Sequence, residues 1–375
     1  MLAGGARPDL AHILADTPVK GLRPDQARAV TDIVHCRTAA LGGHLYTCDH
    51  CHAEVPLYNS CRNRHCPQCQ SLDQVRWVEA QAQHLLPVPY FHLVFTIPRE
   101  LHPFFLLRPR LAYGLLLKAA ASTLLAVSRE EFGGVPAILA VLHTWTQTLL
   151  LHPHVHCIVT GGGVSLDGQR WISTRPTFFL PVRKLSPVFR GKLLHALETA
   201  ITEGDMPAPT TLLRQAAAHA WVVYCKAPMA GPQQVLAYLG RYTHRTAIGN
   251  ERLLAFQDGQ VTFRYRDRQH HNRSRTMTLG VEEFRRRVLL HVLPFHFVRI
   301  RHSGLLALGV RPARLQQARR LLDAPVPPEP SPEKESWVDL YRRLTGRDPT
   351  LCPLCRQGTL SYLRDLEPAA LARSP

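Results

Sequence analysis

Apolar residues recur at helical spacing near the start of the chain. Leu10, Ile13 and Leu14 form one group and Ala27, Val30, Ile33 and Val34 another, so residues 8 to 34 are expected to be helical, broken by Pro24. Residues 36 to 69 lose this periodicity, are polar, and hold six of the ten cysteines. A helix is expected from Ser71 to Leu86, with Ser71 and Asp73 as start signals. The pattern then changes. Tyr90 to Ile97, rich in aromatic and branched residues, predicts a strand. Helical sequence runs from about Arg99 to Val127. Further strands are expected over Ala137 to Trp145 and His152 to Thr160, the latter ending in Gly161, Gly162 and Gly163.

Beyond these, Pro187 to Ile201 predicts a helix, Trp221 to Cys225 a strand, and Gln233 to Tyr242 a helix. Short strand-like runs at 252–256, 261–266 and 274–279 precede a helix from Val281 to Val292. Five prolines between Asp323 and Ser336 mark a linker. The expected organisation is a helical and zinc-binding segment over 1–86, a catalytic domain over 87–310, a helix and linker over 311–336, and a small segment over 337–375 that contains Cys352 and Cys355.

Leu111 to Val127 is the longest apolar run, but Lys118 interrupts it and it is too short for a membrane span, so it reads as a buried helix. Met1 to Asp16 lacks a basic start followed by an apolar stretch. A cytoplasmic, nucleoid-associated location without membrane contact is therefore expected, with thiols free or on metal rather than in disulfides.

Hydrophobic content of 45% and charged content of 19% suit a globular protein. The net charge of +17 argues for a polyanionic partner. A base-composition bias could explain 39 Arg against 6 Lys, but not the excess of bases over acids.

The cysteines run Cys36, Cys48-x2-Cys51, Cys61, Cys66-x2-Cys69. Each C-x2-C turn aims two sulfurs at one point, so Cys48, Cys51, Cys66 and Cys69 are expected to complete one structural zinc tetrahedron. Cys36, Cys61 and His65 could build a second site or be plain buried groups. Cys352 and Cys355 supply half a site, which either borrows ligands from elsewhere in the fold or binds no metal. Arg62 and Arg64 suit a surface that faces DNA.

On a strand, His154 and His156 share a face, with His152 on the same side, while Val155, Cys157 and Val159 point the other way. Two imidazoles so placed can bind a metal and leave positions open for water and phosphate. On a helix, Tyr238 and Tyr242 lie one turn apart and can address one site, with Arg241 and Arg245 near enough to hold phosphates. Packing alone would also account for such a tyrosine pair. From Arg241 to Arg301 there are 13 Arg, no Lys and 5 acids, a net +8 in 61 residues. Arg264, Arg266, Arg268, Arg273 and Arg275 alternate there with aromatic and polar residues, as a surface that tracks a nucleic-acid strand would.

Five segments, read together, resemble the rolling-circle insertion-sequence transposases of the HUH superfamily, in the two-tyrosine group with an N-terminal zinc-binding domain. They are residues 61–69, 94–98, 152–156, 238–245 and 299–302, in the order of that family, and the likeness covers about residues 25 to 310. The resemblance implies an α+β fold: an antiparallel sheet of four or five strands with flanking helices and a central histidine strand, beside the cysteine-rich module. It implies that His154 and His156 bind Mg²⁺ or Mn²⁺. It implies that Tyr238 or Tyr242 attacks single-stranded DNA of the element's ends or target, leaving a 5′-phosphotyrosine link and a free 3′-OH. Gln147, His152 and His244 are candidates for a third ligand, and His152 is preferred because it shares the strand face. A plasmid replication initiator or relaxase could use the same chemistry. A non-catalytic zinc DNA-binding remnant and a zinc hydrolase are the other readings.

Overall fold

The computed structural model describes residues 7–69, 71–229, 234–235, 240, 246–267, 270–326 and 335–369, with backbone only for 227–229. The strands, in chain order, begin with β1 (Gly43–Cys48), β2 (Glu54–Tyr58), β3 (Tyr90–Thr96), β4 (Gly134–Val135) and β5 (Ala137–Trp145). They continue with β6 (Leu151–Thr160), β7 (Gly162–Ser165), β8 (Trp171–Ser173), β9 (Val223–Met229) and β10 (Leu253–Gln257). The last are β11 (Gln260–Asp267), β12 (Arg273–Gly280), β13 (Ile300–Gly304) and β14 (Leu360–Leu366).

These elements fall into two compact units, each assembled from separated stretches of chain. One comprises residues 1–76, 244–292 and 329–375, the other 77–243 and 293–328. These units do not follow the linear divisions expected at residues 86, 310 and 336: the first segment, the stretch 244–292 and the last segment fall in one unit.

The larger unit is built on a five-stranded sheet of order β13-β5-β6-β3-β9, antiparallel throughout. The α+β class, with β6 at the centre, is as expected. Period-two alternation gives the sheet two different faces. Val155, Cys157 and Val159 of β6 join Phe91, Leu93 and Phe95 of β3 and Ile138, Ala140 and Leu142 of β5 in the main core. Each large apolar side chain so buried contributes about 1.5–3 kcal/mol. The helices Pro109–Phe132 and Val182–Thr202 cover this face through Leu116, Leu117, Leu124, Leu193 and Leu197. Pro109–Phe132 is, against expectation, long and apolar enough to cross a membrane, but its apolar residues lie in this core, and the reading of a buried helix agrees with that. On the opposite face Leu139, Val141 and Ile158 pack with Leu305, Leu315 and Ala318, leaving the histidine end of β6 for polar work.

Three elements depart from expectation. The helix expected over Arg99–Val127 breaks at Arg108 (φ −133°, ψ 66°) because the residue before Pro109 is pushed out of helical space. The helix expected to begin at Pro187 begins at Val182 and keeps that proline inside it. The triple glycine does not end the sheet region. Gly162 has φ +148° and a Cβ there would meet Ile172 O at 2.5 Å, so only glycine lets β7 lie against β8.

In the smaller unit, β14-β1-β2 and β10-β11-β12 form two three-stranded sheets. The helix Val281–Leu289 packs on the second, where the rings of Phe263 and Phe284 lie 5.8 Å apart. Side chains link it in both directions to the N-terminal helices Leu10–Leu14 and Pro24–Val34: Arg285 Nε donates to Ile13 O at 2.8 Å, and Gln26 Nε2 donates to Leu289 O at 2.9 Å.

Candidate metal centres

The middle of the sheet gathers histidines. His143 of β5 pairs with His154 of β6, and cross-strand partners share a face. His143, His154 and His156 bring their ligand atoms within 4.8 Å of one another, and all three are buried. The third histidine is thus His143, in place of the preferred His152. The His152 ring lies 5.1 Å from that of His154 but outside the cluster. Gln147 sits in the turn between β5 and β6. His244, Tyr238, Tyr242, Arg241, Arg245 and Arg268 lie outside the described residues. Val235, just before the tyrosines in sequence, is fully buried in the cluster that covers the histidine face.

The rings are held in defined poses. His143 stacks on Trp145 (4.9 Å, 16°). The His154 Nδ1–H donates to His152 O at 2.7 Å, so its other ring nitrogen, Nε2, is the one placed to act as a ligand. His156 Nδ1 lies 2.8 Å from His92 Nε2. Burial foremost, and then Lys226, pushes His92 down to about 4. With His92 neutral, the tautomer in which His156 Nδ1–H donates to His92 Nε2 is the one that leaves the Nε2 of His156 available as a ligand. His92 is therefore a positioning residue. His92→Ala is expected to raise the Mn²⁺ concentration needed for half-maximal DNA cleavage by about 10–100-fold, with His92→Gln recovering part of it. An unchanged metal dependence in a folded His92→Ala protein would remove this role.

Three imidazoles leave half of an octahedral shell open. This donor set fits a borderline ion such as Mn²⁺ better than Mg²⁺, which prefers oxygen ligands.

The cysteines do not pair as their spacing suggested. Cys66 and Cys69 converge with Cys36 and Cys61, whereas Cys48 and Cys51 converge with Cys352 and Cys355. The reading of Cys48, Cys51, Cys66 and Cys69 as one tetrahedron is corrected. Pairing of β14 with β1 carries the distant C-x2-C turn to Cys48 and Cys51. Cys36, just past the helix Pro24–Val34, meets Cys66 and Cys69 instead. His65 stands outside the tetrad and lines a small apolar cavity with Leu10, Leu14 and Ile33.

A zinc ion bound by four thiolates at about 2.3 Å requires sulfurs about 3.8 Å apart. The Cys61–Cys69 separation is 3.6 Å, Cys48–Cys355 3.7 Å and Cys51–Cys352 3.8 Å, with Cys36–Cys69 tighter at 3.1 Å. Backbone N–H groups point at sulfur: Asn63 to Cys61, His50 to Cys48 and Gly358 to Cys355, at 3.4–3.5 Å. Hydrogen bonds from the Cys61 thiol and then the Cys66 thiol hold Cys69 far below the usual thiol range. The Gly358 N–H, with that of Gln357, brings Cys355 down to about 6. Both tetrads suit zinc chemically.

The arginines expected to track DNA fall on two faces. Arg264 and Arg266 are exposed on one side of the β11–β12 pair, among Thr262, Ser274, Thr276 and Thr278. Arg273 and Arg275 lie on the other side, where Arg275 Nε is 3.2 Å from Asp267 Oδ2. Arg62 is exposed, whereas Arg64 is half-buried and burial lowers its guanidinium pKa.

Comparison with known proteins gives the family of the chain. Residues 137–314 match the family model described as "Putative transposase", and residues 9–97 match the one described as "Transposase zinc-binding domain". The chain is 46% identical over 353 residues to "Putative transposase y4qJ" of Sinorhizobium fredii, covering 89% of this chain and 88% of that protein. It is 29% identical over 361 residues to the transposase for insertion sequence element IS801 of Pseudomonas savastanoi pv. phaseolicola, covering 92% and 84%. No solved structure matches. A DNA-binding, strand-transferring enzyme is the class these matches define. The chain belongs to the insertion-sequence transposases, in the IS91-type two-tyrosine group that carries a zinc-binding domain. The matched segments include the histidine cluster, His92 and the first six cysteines, but neither Cys352 nor Cys355.

Proposed function

We propose that this transposase cuts and rejoins single-stranded DNA through a 5′-phosphotyrosine link formed by Tyr238 or Tyr242. The observation that carries the reading is the buried triad His143, His154 and His156 at the centre of the sheet, with Val235 packed on the same face. His143, His154 and His156 would hold a divalent ion, Mn²⁺ by preference, which would supply Lewis-acid stabilisation of the charge developing on the scissile phosphate. The phenol oxygen of one tyrosine forms a bond to phosphorus and gives up its proton to solvent. The bond from phosphorus to the 3′ oxygen breaks, and that oxygen takes up a proton to become a free 3′-OH. The new ester keeps the energy of the broken one, so the 3′-OH of another strand can reverse the step without ATP. Two tyrosines allow a second cleavage before the first link is resolved.

His92, Trp145 and the His152 carbonyl hold the imidazoles in place for this work. Arg264 and Arg266, among hydroxyl side chains, offer phosphate contacts that salt will weaken. Cys36, Cys61, Cys66 and Cys69 would hold a zinc ion that crosslinks the N-terminal module, and four thiolates would leave it no open position for chemistry.

The test is to incubate the chain and Mn²⁺ with labelled single-stranded DNA from the element's ends and, separately, with its duplex form. A covalent adduct on the single strand that chelator prevents is expected. An adduct formed equally on duplex, or none on either, would overturn the proposal.

A further inference from the structure

We infer that Cys48, Cys51, Cys352 and Cys355 form a second structural zinc site, through which the C-terminal segment closes the N-terminal module. The four sulfurs come from turns some 300 residues apart, since Cys51 and Cys352 are separated by 301 positions. Their spacings of 3.7 and 3.8 Å match the edge of a zinc–thiolate tetrahedron, about 3.8 Å, and are far too long for a disulfide, about 2.05 Å. Cys48 and Cys352 are fully buried, although the adjoining strands β2 and β14 are mostly exposed.

That contrast calls for a crosslink. In the sheet β14-β1-β2 only Leu45 and Val55 are buried apolar side chains apart from cysteine, and β14 buries none of its residues. Three short strands with so little apolar burial do not hold together on backbone hydrogen bonds alone. The bonds themselves are in place. β14 pairs with β1 from Gly43↔Leu366 to Cys48↔Leu360, and Thr359 N donates to Asp49 Oδ1 at 2.7 Å. The approach is also close. A Cβ on Gly358 would meet both Cys48 Sγ and Asp49 Oδ1 at 2.5 Å, so glycine is required where the two cysteine turns face each other. All-thiolate donors select a soft tetrahedral ion, and zinc fits without redox chemistry.

Metal content of the full-length protein tests this independently of DNA cleavage. The wild-type chain is expected to carry two zinc ions, one for each tetrad. The double variant Cys352→Ser, Cys355→Ser is expected to carry one, and Gly358→Ala to weaken the same ion. Cobalt titration of the unmutated protein gives a reading that does not depend on whether a variant folds. Two cobalt ions per chain, each with intense sulfur charge-transfer absorption, support the site. One metal ion in the wild type, two in the double variant, or iron in place of zinc would each overturn it.

Discussion

Replacing His154 with alanine is expected to slow strand cleavage by about a thousandfold or more while DNA binding stays close to normal. The side chain is 8% exposed, and its Nδ1–H is already engaged by the His152 carbonyl, so its remaining nitrogen faces the cluster. On the proposed mechanism, losing one of three histidines would weaken the hold on the divalent ion that offsets charge on the scissile phosphate. A contribution of several kcal/mol at about 1.4 kcal/mol per tenfold gives that factor. His143→Ala should cost about as much, because His143 completes the same triad. His152→Ala should cost far less, since its part is played by a backbone carbonyl that alanine retains. Single-turnover cleavage and gel-shift binding, measured side by side, check this. A His152→Ala defect as deep as that of His143→Ala would refute the choice of third ligand.

Replacing Cys66 with serine is expected to remove one zinc ion and unfold the stretch around Cys36 to Cys69. Cys66 is fully buried in its tetrad, and little else there forms a core. Zinc binding to small modules supplies about 10–16 kcal/mol of apparent folding energy near pH 7, more than such a segment gains from its own packing. Rapid proteolysis within residues 36–69 and a loss of one zinc equivalent are the expected readings. Cys157→Ser is the control, because Cys157 is equally buried but lies in the main core of the sheet. It should lower the melting temperature and leave metal content unchanged.

The sequence pattern located the catalytic sheet well. β5 and β6 form nearly where expected, because central strands are long, branched and apolar on at least one face. The partners across strands were harder to read. His154 and His156 lie on one strand and are visible by alternation, but His143 depends on the register set by the tight turn at 146–150, where Leu149 takes φ +64°. Adjacent C-x2-C pairs suggested one site. The actual grouping depends on β14 returning to β1 after some 300 residues, which no local spacing encodes. The arginines illustrate the same limit. Arg264 and Arg266 alternate correctly on their own strand, but register with β12 sends Arg273 and Arg275 to the opposite face. The division into compact units is equally non-local, since both are assembled from separated segments.

The central claim is a covalent tyrosine–DNA intermediate, and peptide mapping of the trapped adduct tests it most directly. After reaction with single-stranded DNA and Mn²⁺, nuclease and protease digestion should leave a nucleotide 5′-phosphate on the peptide that contains Tyr238 or Tyr242. The double variant Tyr238→Phe, Tyr242→Phe should give no adduct. A nucleotide on any other residue, or an adduct that persists in the double variant, would contradict the account.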